Sequence, residues 1–283
     1  MDYTVTNAGI ALPVTKDFDL QQTLDCGQCF RWERQPDGTY TGVAFGHILH
    51  IQDTGRTLLL NCGEQEFLQI WHTYFDCDFN YGTVRNTLSR TNPVLAQAAK
   101  FAPGMRILRQ NPWEALVSFI LSQNNNIPRI KGIVGRLCKS FGDSISNGFY
   151  SFPSAERLAV LSENDLAPLR SGFRAKYILS AAQHVASGEI DLEALRTLPM
   201  DEARQKLMTI HGVGPKVAEC ALLYGMHRLE AFPMDVWMKR AMAALFPGKS
   251  PTDFGEYAGI AQQYIFHYSR NNPQLFEEPK QTA

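Results

Sequence analysis

Little in this sequence announces a metal. Six cysteines are scattered through 283 residues, at 26, 29, 62, 77, 138 and 220, and only Cys26 and Cys29 lie close together. A structural zinc or iron–sulfur site takes about four ligands, so the single Cys26-Gly27-Gln28-Cys29 pair argues against one. A redox pair of that spacing follows a strand and opens a helix, whereas here a β-rich run comes next. No metal and no cofactor is expected. Also missing is any apolar run of membrane-spanning length, and the opening "MDYTVTNAGIALPV" lacks the basic and long apolar parts of a signal peptide. A protein that is not secreted, stays in a reducing compartment and has no membrane partner is the expectation. There is no internal repeat or low-complexity tract. A basic surplus is absent too: 27 Lys and Arg face 28 Asp and Glu, so the overall charge does not announce a polyanionic partner.

With 45% hydrophobic and 19% charged residues, the chain can bury a core of one large or two modest domains. Its charge is uneven. Between Met105 and Ser140, six basic residues (Arg106, Arg109, Arg129, Lys131, Arg136, Lys139) face one acid, Glu114. Such a patch can steer a polyanion, although a solvated helix face has the same composition.

The texture changes along the chain. From Phe30 to Asn61, aromatic and β-branched runs punctuated by "DG", "FG" and "TGR" predict a β-meander. After about Cys77 the pattern is helical, with caps in view. Asn111 precedes Pro112 and "PWEALVSFILSQ", Ser154 opens "AERLAVL", and Ser162 with Asp165 resembles a capping box. Further helices are predicted at Met200 to Thr209, Pro215 to Tyr224, Val236 to Phe246 and about Phe254 to Ser269. The expected class is α+β, an amino-terminal antiparallel twisted sheet (1–97) packed on a mainly α-helical region (98–283).

"LMTIHGVGPKVAECALLYG", Leu207 to Gly225, is the most informative stretch. A helix ends near Thr209, Gly212 and Gly214 make a tight turn, and Pro215 starts a new helix, so about 200–225 forms a helix-hairpin-helix. Unpartnered amides and the helix dipole make Gly212, Val213 and Gly214 a seat for a phosphate that reads no sequence. Lys216 follows at the second helical position, an unfavourable place for a cation. A lysine there is either a phosphate clamp or, uncharged, a nucleophile. Asp235, 19 positions later in "AFPMDVWMKRAM", is an N-cap for the next helix. Facing a sugar, the same carboxylate could stabilise a developing oxocarbenium ion. Lysine and aspartate beside a phosphate-binding hairpin suggest cleavage of a glycosidic bond in a nucleotide.

On these residues, and on "GQCFRW", "ILRQNPWEALVSFILSQNNNIPRI", "GFRAKY" and "YAGIAQQYIF", the chain resembles the 8-oxoguanine DNA glycosylases of the helix-hairpin-helix superfamily over nearly its whole length. The resemblance implies a bifunctional enzyme of base-excision repair. Lys216 matches the lysine that attacks the anomeric carbon, expels the base and forms a Schiff base before β-elimination nicks the strand. Asp235 matches the catalytic carboxylate. For the flipped base, Phe266 and Cys220 match the residues that sandwich it, and Gln262 the reader of its Watson–Crick edge. Gly27 matches the glycine whose carbonyl tells 8-oxoguanine, protonated at N7, from guanine, which accepts there. Asn124, Arg129 and Arg174 match contacts to the orphaned cytosine, and Phe173 the aromatic wedge, in place of tyrosine. Two further departures are Trp237, where a phosphate-holding histidine is expected, and Tyr224, where a thinner side chain is. The implied partner is duplex DNA containing oxidised guanine, bound by a monomer, in the cytoplasm at the nucleoid of a bacterium or in the nucleus of a eukaryote. Two alternatives stay open: a monofunctional alkylated-base glycosylase that uses water, and a non-catalytic DNA-binding module that kept the hairpin.

Overall fold

The computed structural model describes residues 1–146 and 148–276. Strands β1 (Thr4–Thr6), β2 (Gly9–Pro13), β3 (Trp32–Arg34), β4 (Tyr40–Ala44), β5 (His47–Asp53) and β6 (Thr57–Leu60) form one antiparallel sheet of order β1-β2-β6-β5-β4-β3. Successive side chains of a strand point to opposite faces, and Ile10, Leu12, Leu49, Ile51, Leu58 and Leu60 accordingly share one buried face. Trp32 lies over Gly42, where a β-carbon would sit 2.2 Å from the indole, and its Nε1 donates to Tyr74 Oη (2.7 Å). The predicted meander is present as β3 to β6. The two short strands before it, one of which pairs with β6, escaped the sequence reading.

The helical part contains α1 (Tyr81–Thr91), α2 (Pro93–Phe101), α3 (Pro112–Leu121), α4 (Ile127–Phe141), α5 (Arg174–Ala186), α6 (Met200–Met208), α7 (Pro215–Tyr224), α8 (Val236–Leu245) and α9 (Ala258–Asn271). Asn111 caps α3 as expected, its Oδ1 accepting from the amides of Trp113 and Glu114. Ser162 and Asp165 do exchange hydrogen bonds, but they open only a turn and the short 3-10 segment Ala167–Leu169. The last helix starts later than the pattern suggested, because Gly255 adopts φ 68° and breaks the turn before Ala258. The class is α+β. Neither hydrophobic cluster respects a cut at residue 97: Cys26 and Phe30 pack with the helices, while Leu108 packs under the sheet.

A buried cation and a buried anion tie the two parts together. Arg106 donates to the carbonyls of Asp17 (2.9 Å) and Asp76 (2.8 Å), and lies over the rings of Phe18 and Tyr81. Asp76 accepts from Arg109 Nε (2.6 Å), His227 Nε2 (3.1 Å) and Tyr81 Oη (2.9 Å). Burial alone would raise the Asp76 carboxyl, but hydrogen bonds and charge from His227 and Arg109 outweigh it and hold the group below its usual range. A carboxyl depressed in the folded state stabilises fully above its unfolded value, near ~3.9, and that contribution disappears as pH falls through the folded value. Asp76 sits at φ 51°, which asparagine tolerates, so Asp76→Asn isolates the charge. We expect it to cost about 3 kcal/mol at neutral pH, at the low end for a broken buried pair because Arg109 is partly solvated. Thermal melts from about pH 3 to 7 check this: the gap between parent and variant narrows as the medium becomes acid.

Candidate active site

The hairpin between α6 and α7 is held from two sides. Gly212 adopts φ 84°, and a β-carbon there would lie 2.2 Å from the Tyr177 ring of α5, so only glycine lets the hairpin close onto that ring. Gln123 Nε2 donates to Gly212 O (3.1 Å), and Ser180 Oγ accepts from the His211 amide (3.2 Å). No side chain caps α7. The amides of Gly212 and Gly214 have no partner among the described residues, and a β-carbon on Gly214 would meet open space. Free amides at the start of a helix favour an anion. Val213 corrects the expected trio, since its amide bonds to Ile210 O (3.0 Å) and its side chain is buried.

Lys216 points inward from the first turn of α7. Its Nζ donates to Ser122 Oγ (2.9 Å) and lies over the Phe119 ring, 5.3 Å from the centroid. Ser122 in turn donates to Phe119 O (2.7 Å), so its lone pairs face the amine. No carboxylate lies within 4.0 Å of Nζ among the described residues, and a neutral hydroxyl together with a ring face hold the lysine.

The loop from α7 to α8 carries the carboxylate. Glu219, one turn along α7 from Lys216, accepts from the Phe232 amide (2.7 Å), and Gln262 Nε2 on α9 donates to Pro233 O (3.2 Å). Gly259 donates its amide to Leu229 O (2.7 Å), and a β-carbon there would strike Leu223 and the loop carbonyls. Clamped between two helices, the loop delivers Asp235 to the start of α8, where Oδ1 accepts from the Met238 amide (2.7 Å). The other carboxylate oxygen is left available for chemistry.

Lys216, Asp235, Gly27, Cys220, Gln262 and Phe266 all line one narrow cavity of about 70 Å³, together with Cys26, Phe119, Tyr224 and Gln263. That volume holds a few water molecules, so a purine entering it must part the walls. A larger groove of about 610 Å³ runs along the other side of α7 and has Lys216 in common with this cavity. Burial pushes the Cys220 thiol up to about 11 against the charge of Lys216, and the Cys26 thiol up to about 11 against hydrogen bonds from Gln28. Both are neutral walls at physiological pH and weak nucleophiles. The Cys-Gly-Gln-Cys loop is fixed by Gln28, whose amide donates to Thr23 O and Arg106 O and accepts from the Leu108 amide. Gly27 adopts φ 89°, and its carbonyl accepts no hydrogen bond among the described residues.

On the opposite side, Asn124 is exposed at φ 47°. Asn125 caps Leu121 O and Asn126 caps α4. Phe173 projects into solvent, 47% exposed, with the Arg174 guanidinium 4.4 Å from its ring centroid. Arg174 is buried, and it donates to the carbonyls of Gln123, Asn124 and Ser171, so it holds the asparagine turn against Phe173. Arg129 is exposed. The basic patch is also smaller than its composition suggested. Arg106 is buried, Arg109 pairs with Asp76, Lys131 with Glu33, and Arg136 bonds to Leu169 O. Of the six, Arg129 and Lys139 have no such side-chain acceptor among the described residues. Trp237 donates its indole N–H to Ser269 Oγ (2.9 Å) and so fastens α8 to α9 without offering a donor to phosphate.

Ser122, Phe119, Glu219 and Gln263 were not singled out from the sequence. They reach the site from helices far apart in the chain, and nothing local marks them.

A sheet-bearing amino-terminal part and a helix-hairpin-helix with lysine and aspartate in one cavity define a base-excision repair protein. Residues 117–254 match the model for HhH-GPD superfamily base excision DNA repair proteins, and residues 11–116 that for the amino-terminal domain of 8-oxoguanine DNA glycosylase. The chain belongs to the 8-oxoguanine DNA glycosylase family of N-glycosylase/DNA lyases. It is 31% identical to the Arabidopsis thaliana N-glycosylase/DNA lyase, over 88% of this chain and 77% of that protein. Among solved structures it is similar to MBOgg1 in complex with a low-affinity DNA ligand (44% identity, TM-score 0.90, 96% and 100% of the two chains). The Clostridium acetobutylicum 8-oxoguanine glycosylase/lyase, bound to duplex DNA with cytosine opposite 8-oxoguanine, is similar at 36% identity and TM-score 0.89 over 96% and 99%. Among the described residues no helix is long and apolar enough to cross a membrane, and no cluster of histidine, cysteine, aspartate or glutamate is suited to a metal ion.

Proposed function

We propose that this protein draws 8-oxoguanine, paired with cytosine, out of duplex DNA and excises it with Lys216 as nucleophile. The hairpin amides of Gly212 and Gly214 grip a backbone phosphate, and Phe173 fills the gap left in the stack. The base passes between Phe266 and Cys220, because its glycosidic bond cannot be reached within the helix. The uncharged amine of Lys216 attacks C1′ as the bond from C1′ to N9 breaks, and the bonding electrons leave with the base. Positive charge developing on the sugar is stabilised by the free oxygen of Asp235. The adduct opens to an iminium between Nζ and C1′, which acidifies the hydrogens on C2′. Loss of one of these protons expels the 3′ phosphate and nicks the strand.

The observation that carries this reading is the meeting of Lys216, Asp235, Cys220, Phe266 and the unpaired Gly27 carbonyl around one cavity. It is tested with duplexes bearing 8-oxoguanine opposite each of the four bases, assayed with and without alkali and in borohydride. Strand cleavage without alkali and a reduced protein–DNA adduct support it, whereas base release with strand cleavage only after alkali, and no adduct, returns the protein to the water-using class.

Gly27 gives a sharper check on base recognition. A methyl at φ 89° is strained by about 1–2 kcal/mol and meets Ile127 Cδ1 at 3.3 Å, so Gly27→Ala shifts the carbonyl while the fold persists. A misplaced buried acceptor costs about 1–3 kcal/mol, so release of 8-oxoguanine is expected to slow by about 5- to 150-fold. Equal rates for the variant and its parent in single-turnover assays would remove Gly27 from the reading of the base.

A further inference from the structure

Two neighbouring glutamines of α9 leave matching acceptors unused beside the catalytic lysine. Gln262 and Gln263 are 5% and 3% exposed, and both line the cavity that contains Lys216 and Asp235. Each has its amide nitrogen fixed. Gln262 Nε2 donates to Pro233 O at 3.2 Å, and Gln263 Nε2 donates to the Tyr224 hydroxyl. Among the described residues, the carbonyl oxygens of both have no hydrogen-bond partner. A buried acceptor without a donor is costly to keep, and two side by side in one cavity point to a ligand that brings donors.

The Tyr224 side chain is built to hold this arrangement. Its ring stacks on Phe119 at 5.0 Å and 20°, the same Phe119 that lies under Lys216. Its hydroxyl then sets the orientation of the Gln263 amide. The bulky residue that departs from expectation at 224 therefore has a partner, Gln263, and the two act as a unit in the cavity wall.

Resting on the function proposed above, the ligand is a flipped guanine lesion. The Watson–Crick edge of guanine carries a ring N1–H and an exocyclic 2-amino group with two hydrogens. One carbonyl can serve N1–H and the nearer amino hydrogen, which leaves the outer amino hydrogen unmatched. We propose that Gln263, oriented by Tyr224, is a specificity-determining residue that accepts from the 2-amino group of the flipped base, beside Gln262 on the ring edge. The substrate class is thereby narrowed to oxidised purines that carry a 2-amino group.

The test compares single-turnover release of 8-oxoguanine and of 8-oxohypoxanthine, each opposite cytosine. 8-Oxohypoxanthine keeps the 6-oxo, N1–H and N7–H groups and lacks only the amine. The parent protein is expected to prefer 8-oxoguanine by about tenfold or more, the consequence of one unmatched buried acceptor. In Gln263→Ala that ratio falls severalfold toward unity, because 8-oxoguanine loses the contact to its outer amino hydrogen and keeps only the one that Gln262 makes to the nearer. Tyr224→Phe keeps the stacked ring, frees the amide and gives an intermediate ratio. If Gln263→Ala does not fold, Gln263→Met fills the same volume without an amide and replaces it. A structural role alone would slow both substrates equally and leave the ratio at the parent value, and that outcome overturns the proposal, as does a parent protein that does not distinguish the two bases. Failure of the parent to release 8-oxoguanine opposite any base would instead overturn the function on which the proposal rests.

Discussion

Replacing Lys216 with glutamine yields a folded protein that forms no borohydride-stable adduct and releases 8-oxoguanine about 10³-fold more slowly or worse. A loss of that size corresponds to about 4 kcal/mol in the barrier. Glutamine keeps a polar, uncharged group beside Ser122 and the ring of Phe119, the neighbours of the amine, so stability and duplex binding should stay near parental values. The amide nitrogen is not nucleophilic and cannot form an iminium, so both chemical steps are lost together. This separates catalysis from the phosphate clamp that the same position could have been. A clamp would show weaker binding with its salt dependence reduced by about one phosphate, and any residual base release would still give an adduct. The measurements are single-turnover release, trapping on a denaturing gel and a binding titration at two salt concentrations. Release by Lys216→Gln within about tenfold of the parent rate, roughly 1.4 kcal/mol, would end the nucleophile assignment.

Asp235→Asn is expected to slow base release by about 10²- to 10³-fold while leaving the thermal midpoint nearly unchanged. Asparagine caps a helix about as well as aspartate, so the bond from the Met238 amide persists and only the charge is lost. Removing a group that stabilises charge in the transition state costs about 2.7–4 kcal/mol in comparable sites. The adduct still forms in this variant, more slowly, because the amine is intact. Borohydride trapping therefore tells the two variants apart: none with Lys216→Gln, delayed with Asp235→Asn. Parental release from Asp235→Asn would reduce the carboxylate to its capping role. The opposite failure, a large drop in thermal midpoint, would show that the cap and not the charge had been removed.

The two residues could be picked from the sequence because each obeys a local rule. Lys216 follows a Gly-Val-Gly-Pro turn, and Asp235 stands where a new helix must begin. The helix boundaries of the hairpin were legible for the same reason: Pro215 starts α7 and Gly225 follows its last residue, Tyr224. The meander was legible from alternation and turn residues. Strands β1 and β2 were not, because three to five residues carry too little pattern, and β2 exists through its pairing with β6. The basic patch shows the reverse error. Composition counts every arginine as surface charge, yet Arg106 and Arg174 are among the most deeply buried polar groups, satisfied by backbone carbonyls that no linear pattern displays.

Adjacent residues on a helix point about 100° apart, so sequence alone places Gln262 and Gln263 on different faces and gives no reason to join them. The cavity curves around α9 and reaches both. Trp237 is similar: its identity was visible as a departure, but the direction of its N–H, inward to Ser269, depends on how α8 packs against α9. By itself, then, the sequence determined the α+β class and the hairpin and marked Lys216 and Asp235 as candidate site residues, since these follow from local backbone preferences and the chemistry of single side chains. The packing of α3, α7 and α9 decided which polar atoms are buried without partners and which charges are already satisfied. Those properties belong to contacts between residues far apart in the chain, Lys216 and Ser122 at 94 positions and His227 and Asp76 at 151 among them, fixed by the closing of the core and not by any neighbour in the chain.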